Sequence, residues 1–390
     1  MIIKKIPYGY HEVNQDDIDM VVEVLKNSLL AQGSRVIQFE ELININVKSN
    51  FSVAVNSATS ALHLACLSLG LEKGDYLWTS PISFVSSANC GLFCGAQVDF
   101  VDIDLDTGLM SINQLRKKLF DARTKNKLPK IVIPVHLGGT SCNMKEIYEL
   151  SKEFNFKIIE DASHALGGSY IKTKVGSCKY SDLTVFSFHP VKIITTGEGG
   201  MITTNSENLY QKLLLLRSHG VVKDQKFFKK NNKNPWHYEQ QILGFNFRMS
   251  EINAALGLSQ LARLKEIVIK RNQILDKYKK ELEEFPVEFL KIDSNIISSV
   301  HLAIIKLSNK SEEFHKEVFK KLHAKNIAVQ IHYQPIHLNP FYENMGFREG
   351  DFPNAESYSK NALSLPVYPS LTESDLNYTI ATLKDILNEK

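Results

Sequence analysis

The stretch Leu183–Thr204, LTVFSFHPVKIITTGEGGMITT, decides the fold. A β-branched and apolar run ends at Ser187, and a second run, Met201–Thr204, resumes after a loop. The loop carries Lys192 and closes on Gly197-Glu-Gly-Gly200, where small residues let the backbone turn and approach its neighbours closely. Lysine ordinarily favours solvent, so one set between an apolar strand and a glycine-rich loop can be desolvated. Just upstream, Lys157–Gly168, KIIEDASHALGG, is another apolar strand that ends in Asp161 and is followed by His164.

Working outward, short apolar runs alternate with helical stretches over residues 52–205. They are Ser52–Val55, Tyr76–Thr79, Val98–Val101, Ile131–Val135, Lys157–Glu160, Leu183–Phe186 and Met201–Thr204. Such alternation predicts βαβ units, a mostly parallel sheet and an α/β fold class. Ahead of it, Ile18, Val21, Val22 and Leu25 mark an amphipathic helix capped by Asn14 that packs on the rest of the chain. Behind it, the polar stretch 223–236 predicts a long surface loop, and a long helix runs from Ser250 to about Leu282. A strand at Val300–Leu307, a helix near 311–325, a strand at Ile327–His332 and two further helices form a smaller C-terminal α/β domain. The expected division is 1–265 and 266–390.

Composition narrows the class. The 390 residues are 43% hydrophobic and 23% charged, close to a globular average, which argues against long disorder or coiled coil. Forty-six Lys and Arg against 43 Asp and Glu leave +3, too little for a nucleic-acid footprint. No run of about 18 apolar residues suggests a membrane span, and the first residues lack the apolar core of a signal peptide, so a cytoplasmic location is expected. The five cysteines form no C-x-x-C pair, so they predict buried free thiols and no metal site.

In a parallel sheet, ligands gather past the carboxyl ends of the strands. Four sets of residues fall there. Asn56-Ser-Ala-Thr-Ser60 opens a helix whose free N–H groups at Ala58 and Thr59 suit a phosphate, although the same residues make an ordinary helix cap. Asp161 can hold a pyridinium nitrogen or merely cap a turn, and Lys192 can form a Schiff base once its pKa is lowered. Phe84, in Thr79-Ser-Pro-Ile-Ser-Phe84, can cover an aromatic ring or fill core. Phosphate cradle, carboxylate, amine and ring cover are together the contacts that pyridoxal phosphate needs.

These blocks, together with Leu30-Ala-Gln-Gly33, Arg217-Ser-His-Gly220 and Leu363-Ser-Leu-Pro366, resemble the fold-type I, pyridoxal phosphate-dependent sugar-nucleotide aminotransferases along nearly the whole chain. The resemblance implies a large cofactor-binding domain with a mostly parallel seven-stranded sheet, and a smaller C-terminal α/β domain. It implies Lys192 as the catalytic lysine that binds the cofactor, Asp161 on the ring nitrogen and His164 near the ring hydroxyl. Ala58, Thr59 and Ser187 would hold the phosphate, and Phe84 would cover the ring. Arg248 stands where a neighbouring subunit reaches the phosphate, a position at which many members carry Asn, which implies a homodimer with shared sites; its other reading is a surface ion pair. Relatives with histidine in place of the lysine are dehydratases; Lys192 favours transamination, with L-glutamate as the usual donor.

Within the family, Val329-Gln-Ile-His-Tyr-Gln-Pro-Ile-His-Leu-Asn-Pro-Phe-Tyr342 is most similar to the branch acting on a UDP-linked 4-keto sugar in pseudaminic acid biosynthesis. His136, His332, Tyr333, His337 and Tyr342 are therefore candidates for the sugar site, each with core or turn packing as its alternative. Lys223–Lys233 and Arg217 are candidates for a nucleotide pyrophosphate, or for a solvated face. A dTDP- or GDP-linked keto sugar is the rival substrate, and a non-catalytic regulator that keeps the fold is the rival function.

Overall fold

A computed structural model describes residues 5–230, 234–308 and 311–389. Its centre is a seven-stranded sheet of β1 (Phe51–Val55), β2 (Tyr76–Thr79), β3 (Gln97–Phe100), β4 (Ile131–Ile133), β5 (Lys157–Asp161), β6 (Leu183–Ser187) and β7 (Gly200–Thr204). The spatial order is β1-β7-β6-β5-β4-β2-β3. Neighbours from β3 through β6 run parallel, and β7 runs antiparallel to both β1 and β6.

Helices α1 (Gln15–Asn27) and α2 (Ser34–Val47) precede the sheet; α3 (Ala58–Ser68), α4 (Ser86–Phe93), α5 (Ile112–Thr124), α6 (Met144–Phe154) and α7 (Glu207–Arg217) are interleaved with or follow its strands; α8 (Glu251–Ala262) and α9 (Leu264–Glu281) come after it. Two cores sit on opposite faces because strand side chains alternate. Val53, Val55, Val185 and Ile202 join one cluster with Leu64 and Trp78, whereas Ala54, Phe186 and Met201 join another with Phe39, Ile43 and Leu258.

The smaller unit holds an antiparallel sheet of β8 (Val287–Phe289), β9 (Ala303–Leu307) and β10 (Ala362–Leu365), with α10 (Glu312–Ala324), α11 (Pro340–Glu343), α12 (Pro353–Ser359) and α13 (Glu373–Asn388). Its core gathers Ile305, Leu307, Val318, Leu363 and Leu383, together with Ile274, Leu275 and Tyr278 of α9. Ile267 and Val268 of the same helix belong to the larger unit, so α9 bridges the two. Ile6 also packs in the smaller core, which ties the N-terminal segment to it.

Three sequence expectations change. The helix from Ser250 breaks at Arg263, whose guanidinium is held by Asp17 and Glu12. Residues 327–332 form only isolated bridges, Ile6 to Ile327 and Gln330 to Ser364, because the segment leaves one partner for another. The strand beside β9 is instead Ala362–Leu365, too short and uniform for its period to be read from sequence. Finally, α1 has the expected Asn14 cap, completed by Asp17 as a capping box, and packs against α8 as expected, but it buries only Asp17 and Val24, leaving Ile18 and Leu25 exposed. Of the five cysteines, four are buried and Cys94 is half-buried, all as free thiols. Among the described residues no helix is long and apolar enough to cross a membrane.

Candidate active site

A cavity of about 750 Å³ opens past the carboxyl ends of the strands, between the two units. From the larger unit it is lined by Ala58, Thr59, Phe84, Ser87, Asp161, His164, Ser187 and Lys192, among others; from the smaller, by His332 and Tyr333.

The floor is built by close packing around Gly200, which pairs with Val55 on one side and Ser187 on the other. A Cβ there would lie 2.6 Å from the carbonyl of Ser57 and 2.7 Å from the nitrogen of Ala58. Only glycine lets β7 pass beneath the start of α3. Ser57 caps that helix through its hydroxyl, which accepts from Ser60 N, so the first-turn N–H groups border the cavity at the positive end of the helix.

The loop bearing Lys192 is tied down along its length. Phe188 O accepts from Thr196 N and Thr195 Oγ1, Phe188 N donates to Gly199 O, and Asn253 Nδ2 reaches Thr196 O from α8. A Cβ on Gly199 would lie 2.2 Å from Thr196 Oγ1 and 2.7 Å from Met249 Cε, so a larger residue there would have to displace both side chains. Desolvation lowers the Lys192 ammonium to about 8, against the charge of Asp161, which favours the protonated form.

Asp161 is 5% exposed and heavily bonded. Oδ1 accepts from Ser163 N at 3.1 Å and Ser163 Oγ at 2.6 Å, and Oδ2 accepts from Ser87 Oγ at 2.6 Å. His164 accepts from Gly138 N at Nδ1, which fixes its proton on Nε2, 3.2 Å from the Tyr333 hydroxyl. Burial, with the charge of Lys192, holds the His164 imidazole well below the usual histidine range and His332 at about 3, so both are neutral. Phe84 stands at the mouth, 59% exposed, its ring 6.4 Å from that of Tyr333.

Three sugar-site candidates lie elsewhere. His136 is fully buried, donates through Nε2 to Glu160 and accepts at Nδ1 from Cys142 N, so both ring nitrogens are occupied inside the protein. His337 is equally buried against Glu356, and Tyr342 donates to Asn89. All three bond inside the protein and do not line the cavity. Arg217, a pyrophosphate candidate, is instead held by Glu40 and the carbonyl of Ala54. Lys223, Lys226, Lys229 and Lys230 do not line the cavity, and Lys233 lies outside the described residues. Arg248 pairs with Val55 through its backbone and does not line this chain's cavity.

Sequence reasoning missed Tyr8, Ser83, Ser87 and Ser163. Ser163 follows Asp161 by two residues, the spacing of an Asx-type turn, and Ser83 and Ser87 are one helical turn apart. Those spacings are the available signals.

The donor set suits pyridoxal phosphate: an amine of lowered pKa, a buried carboxylate across the cavity, N–H groups at a helix start, and a cradle beside Gly200 that a Cβ would fill.

The DegT/DnrJ/EryC1/StrS aminotransferase family model matches residues 11–384. The chain is 37% identical over 387 residues to the UDP-4-amino-4,6-dideoxy-N-acetyl-beta-L-altrosamine transaminase of Campylobacter jejuni, covering 98% of each. It is 31% identical over 396 residues to the GDP-perosamine synthase of Caulobacter vibrioides, covering 99% of each. Among solved structures it superposes with a TM-score of 0.90 and 31% identity on Helicobacter pylori PseC, an aminotransferase involved in the biosynthesis of pseudoaminic acid, over 98% of this chain and 99% of that one.

Proposed function

This chain belongs to the DegT/DnrJ/EryC1/StrS aminotransferase family, whose members are pyridoxal phosphate-dependent sugar aminotransferases, and on that premise we propose its substrates and the work of each residue. The acceptor is UDP-2-acetamido-2,6-dideoxy-beta-L-arabino-hexos-4-ulose, the donor is L-glutamate, and the product is UDP-4-amino-4,6-dideoxy-N-acetyl-beta-L-altrosamine, used for pseudaminic acid. The observation that carries the chemistry is the meeting of Lys192, Asp161, His164 and the α3 helix start in one cavity. The likeness to the altrosamine transaminase supports the choice of sugar. The likeness to a GDP-perosamine synthase supports a second reading, the same reaction on a GDP-linked keto sugar.

Pyridoxal phosphate, when bound, supplies an aldehyde for amine exchange and a ring that accepts electrons. Lys192 is the residue that would hold that aldehyde. Once displaced, Lys192 Nζ takes the proton from the donor's Cα and later returns one to C4 of the sugar; its pKa near 8 leaves a useful neutral fraction near neutral pH. Asp161 would hold the protonated ring nitrogen, and His164 would stand near the ring hydroxyl. Ala58, Thr59 and Ser187 hold the phosphate, and Phe84 shields the ring. His332 and Tyr333 present neutral polar groups to the sugar.

The active unit in this reading is a homodimer in which Arg248 reaches the partner's phosphate. Trp236 and Leu243, about four-fifths exposed in the stretch just before Arg248, are apolar side chains that such a partner would cover.

The test is the visible spectrum of the protein with pyridoxal phosphate, before and after L-glutamate, beside Lys192→Ala. A lysine-bound cofactor band that glutamate abolishes and the variant lacks is expected. Absence of that band at saturating cofactor refutes the reading. Mass analysis of products from UDP-, GDP- and dTDP-linked keto sugars then decides the acceptor.

A further inference from the structure

Behind the carboxylate of Asp161 runs a chain of buried hydroxyls. Ser87, at the first turn of α4 and 1% exposed, donates through Oγ to Asp161 Oδ2 at 2.6 Å. Its single hydroxyl proton is thereby committed, so in the 2.6 Å contact between Ser87 Oγ and Ser83 Oγ the donor is Ser83. The order is fixed: Ser83 O–H to Ser87 O–H to carboxylate. Ser83 immediately precedes Phe84, so the chain links the segment at the cavity mouth to the carboxylate beneath it. The preceding residue, Ser86, contacts Thr59 Oγ1 at 2.8 Å, so adjacent serines of one helical turn reach both the ring-nitrogen carboxylate and the phosphate cradle.

We propose that Ser87, backed by Ser83, is a positioning residue that keeps the proton on the cofactor's ring nitrogen rather than on Asp161. This rests on the reading of Asp161 given above. The contest is between a neutral pair, carboxylic acid beside pyridine, and a charged pair, carboxylate beside pyridinium. In a water-poor cavity the neutral pair gains, unless other donors hold the carboxylate in its charged form. A carboxylate offers about four lone-pair sites. Ser87 and the two donors of Ser163 occupy three, which leaves one directed to the ring N–H. Removing the Ser87 hydroxyl withdraws one charge-stabilising donor and frees Oδ2 to carry the proton itself. The ring then loses positive charge and attracts electrons less strongly. Ser83 acts at one remove: its donation polarises the Ser87 O–H, so its loss weakens the same effect without abolishing it.

The experiment uses full-length protein reconstituted with pyridoxal phosphate, in wild type, Ser87→Ala, Ser87→Thr and Ser83→Ala. Three quantities are read: the dissociation constant of the cofactor, the apparent pKa of its visible band, and the melting temperature of the cofactor-free protein. For Ser87→Ala, affinity falls about tenfold, as expected for losing a hydrogen bond to a charged group. The band pKa rises, because a less positive ring holds the neighbouring imine proton more firmly. Ser83→Ala moves both in the same direction by less, and Ser87→Thr, which keeps the hydroxyl, stays with wild type. A Ser87→Ala protein that melts lower while cofactor affinity and band pKa hold overturns the proposal in favour of packing. If Ser87→Ala does not fold, Ser83→Ala decides alone, and an unmoved band pKa overturns the proposal. A wild type that fails to bind the cofactor overturns the reading of the cavity as well, and that result is distinct from an unresponsive serine chain in a normal wild type.

Discussion

Gly200→Ala is the smallest change that should damage the cofactor floor. The added Cβ would meet the Ser57 carbonyl carbon and oxygen at 2.6 Å and Ala58 N at 2.7 Å, all of them backbone atoms that cannot rotate away. Gly200 is also locked in register between Val55 and Ser187, so β7 cannot withdraw without parting two strand pairs. The start of α3 must shift instead. Overpacking a rigid site by one carbon costs about 1–3 kcal/mol. If that strain is relieved by moving the N–H groups of Ala58 and Thr59, it appears as weaker cofactor binding by about 5- to 150-fold, at 1.4 kcal/mol per decade. The assay titrates cofactor-free protein with pyridoxal phosphate at the visible band and melts the same protein without cofactor. Gly70→Ala is the control: Gly70 has φ +76° and nothing within 4 Å of a Cβ, so it should lose about 1 kcal/mol of stability and no cofactor affinity. If Gly200→Ala binds the cofactor within twofold of wild type and melts at the same temperature, the cradle is looser than its distances indicate and the reasoning fails.

Two further outcomes follow from the same geometry. Capture of pyridoxal phosphate needs the neutral amine of Lys192, so its stopped-flow rate should rise about tenfold per pH unit below about 8 and level off above it; a midpoint near the ordinary 10.5 would contradict a desolvated lysine. Arg217→Ala leaves Glu40 buried without its partner and should cost about 3 kcal/mol in denaturant unfolding while the KM for the nucleotide sugar holds; a large rise in KM at unchanged stability would return Arg217 to the pyrophosphate.

The chemistry-bearing core of the site was legible because its signals are local. Strand period, helix caps and the glycine-rich tail each span a few residues, and Asp161 and Lys192 are marked by lying at the end of one strand and just past another. The histidines were not separable in this way. His136 and His332 both follow apolar runs, yet one is sealed against Glu160 and the other lines the cavity, because their partners come from other strands and loops.

By itself, then, the sequence determined the α/β alternation, the seven strands of the large sheet and the residue types that meet in the candidate site, since each depends on neighbours within a turn or a strand. Tertiary structure alone decided which polar groups face the cavity. The Ser87 hydroxyl meets Asp161 from 74 residues away, Arg217 meets Glu40 across 177, and the helix from Ser250 breaks where Arg263 is held by Asp17, 246 positions distant. A buried donor takes whichever acceptor the packed chain brings within 3 Å or so, and no local pattern records that choice.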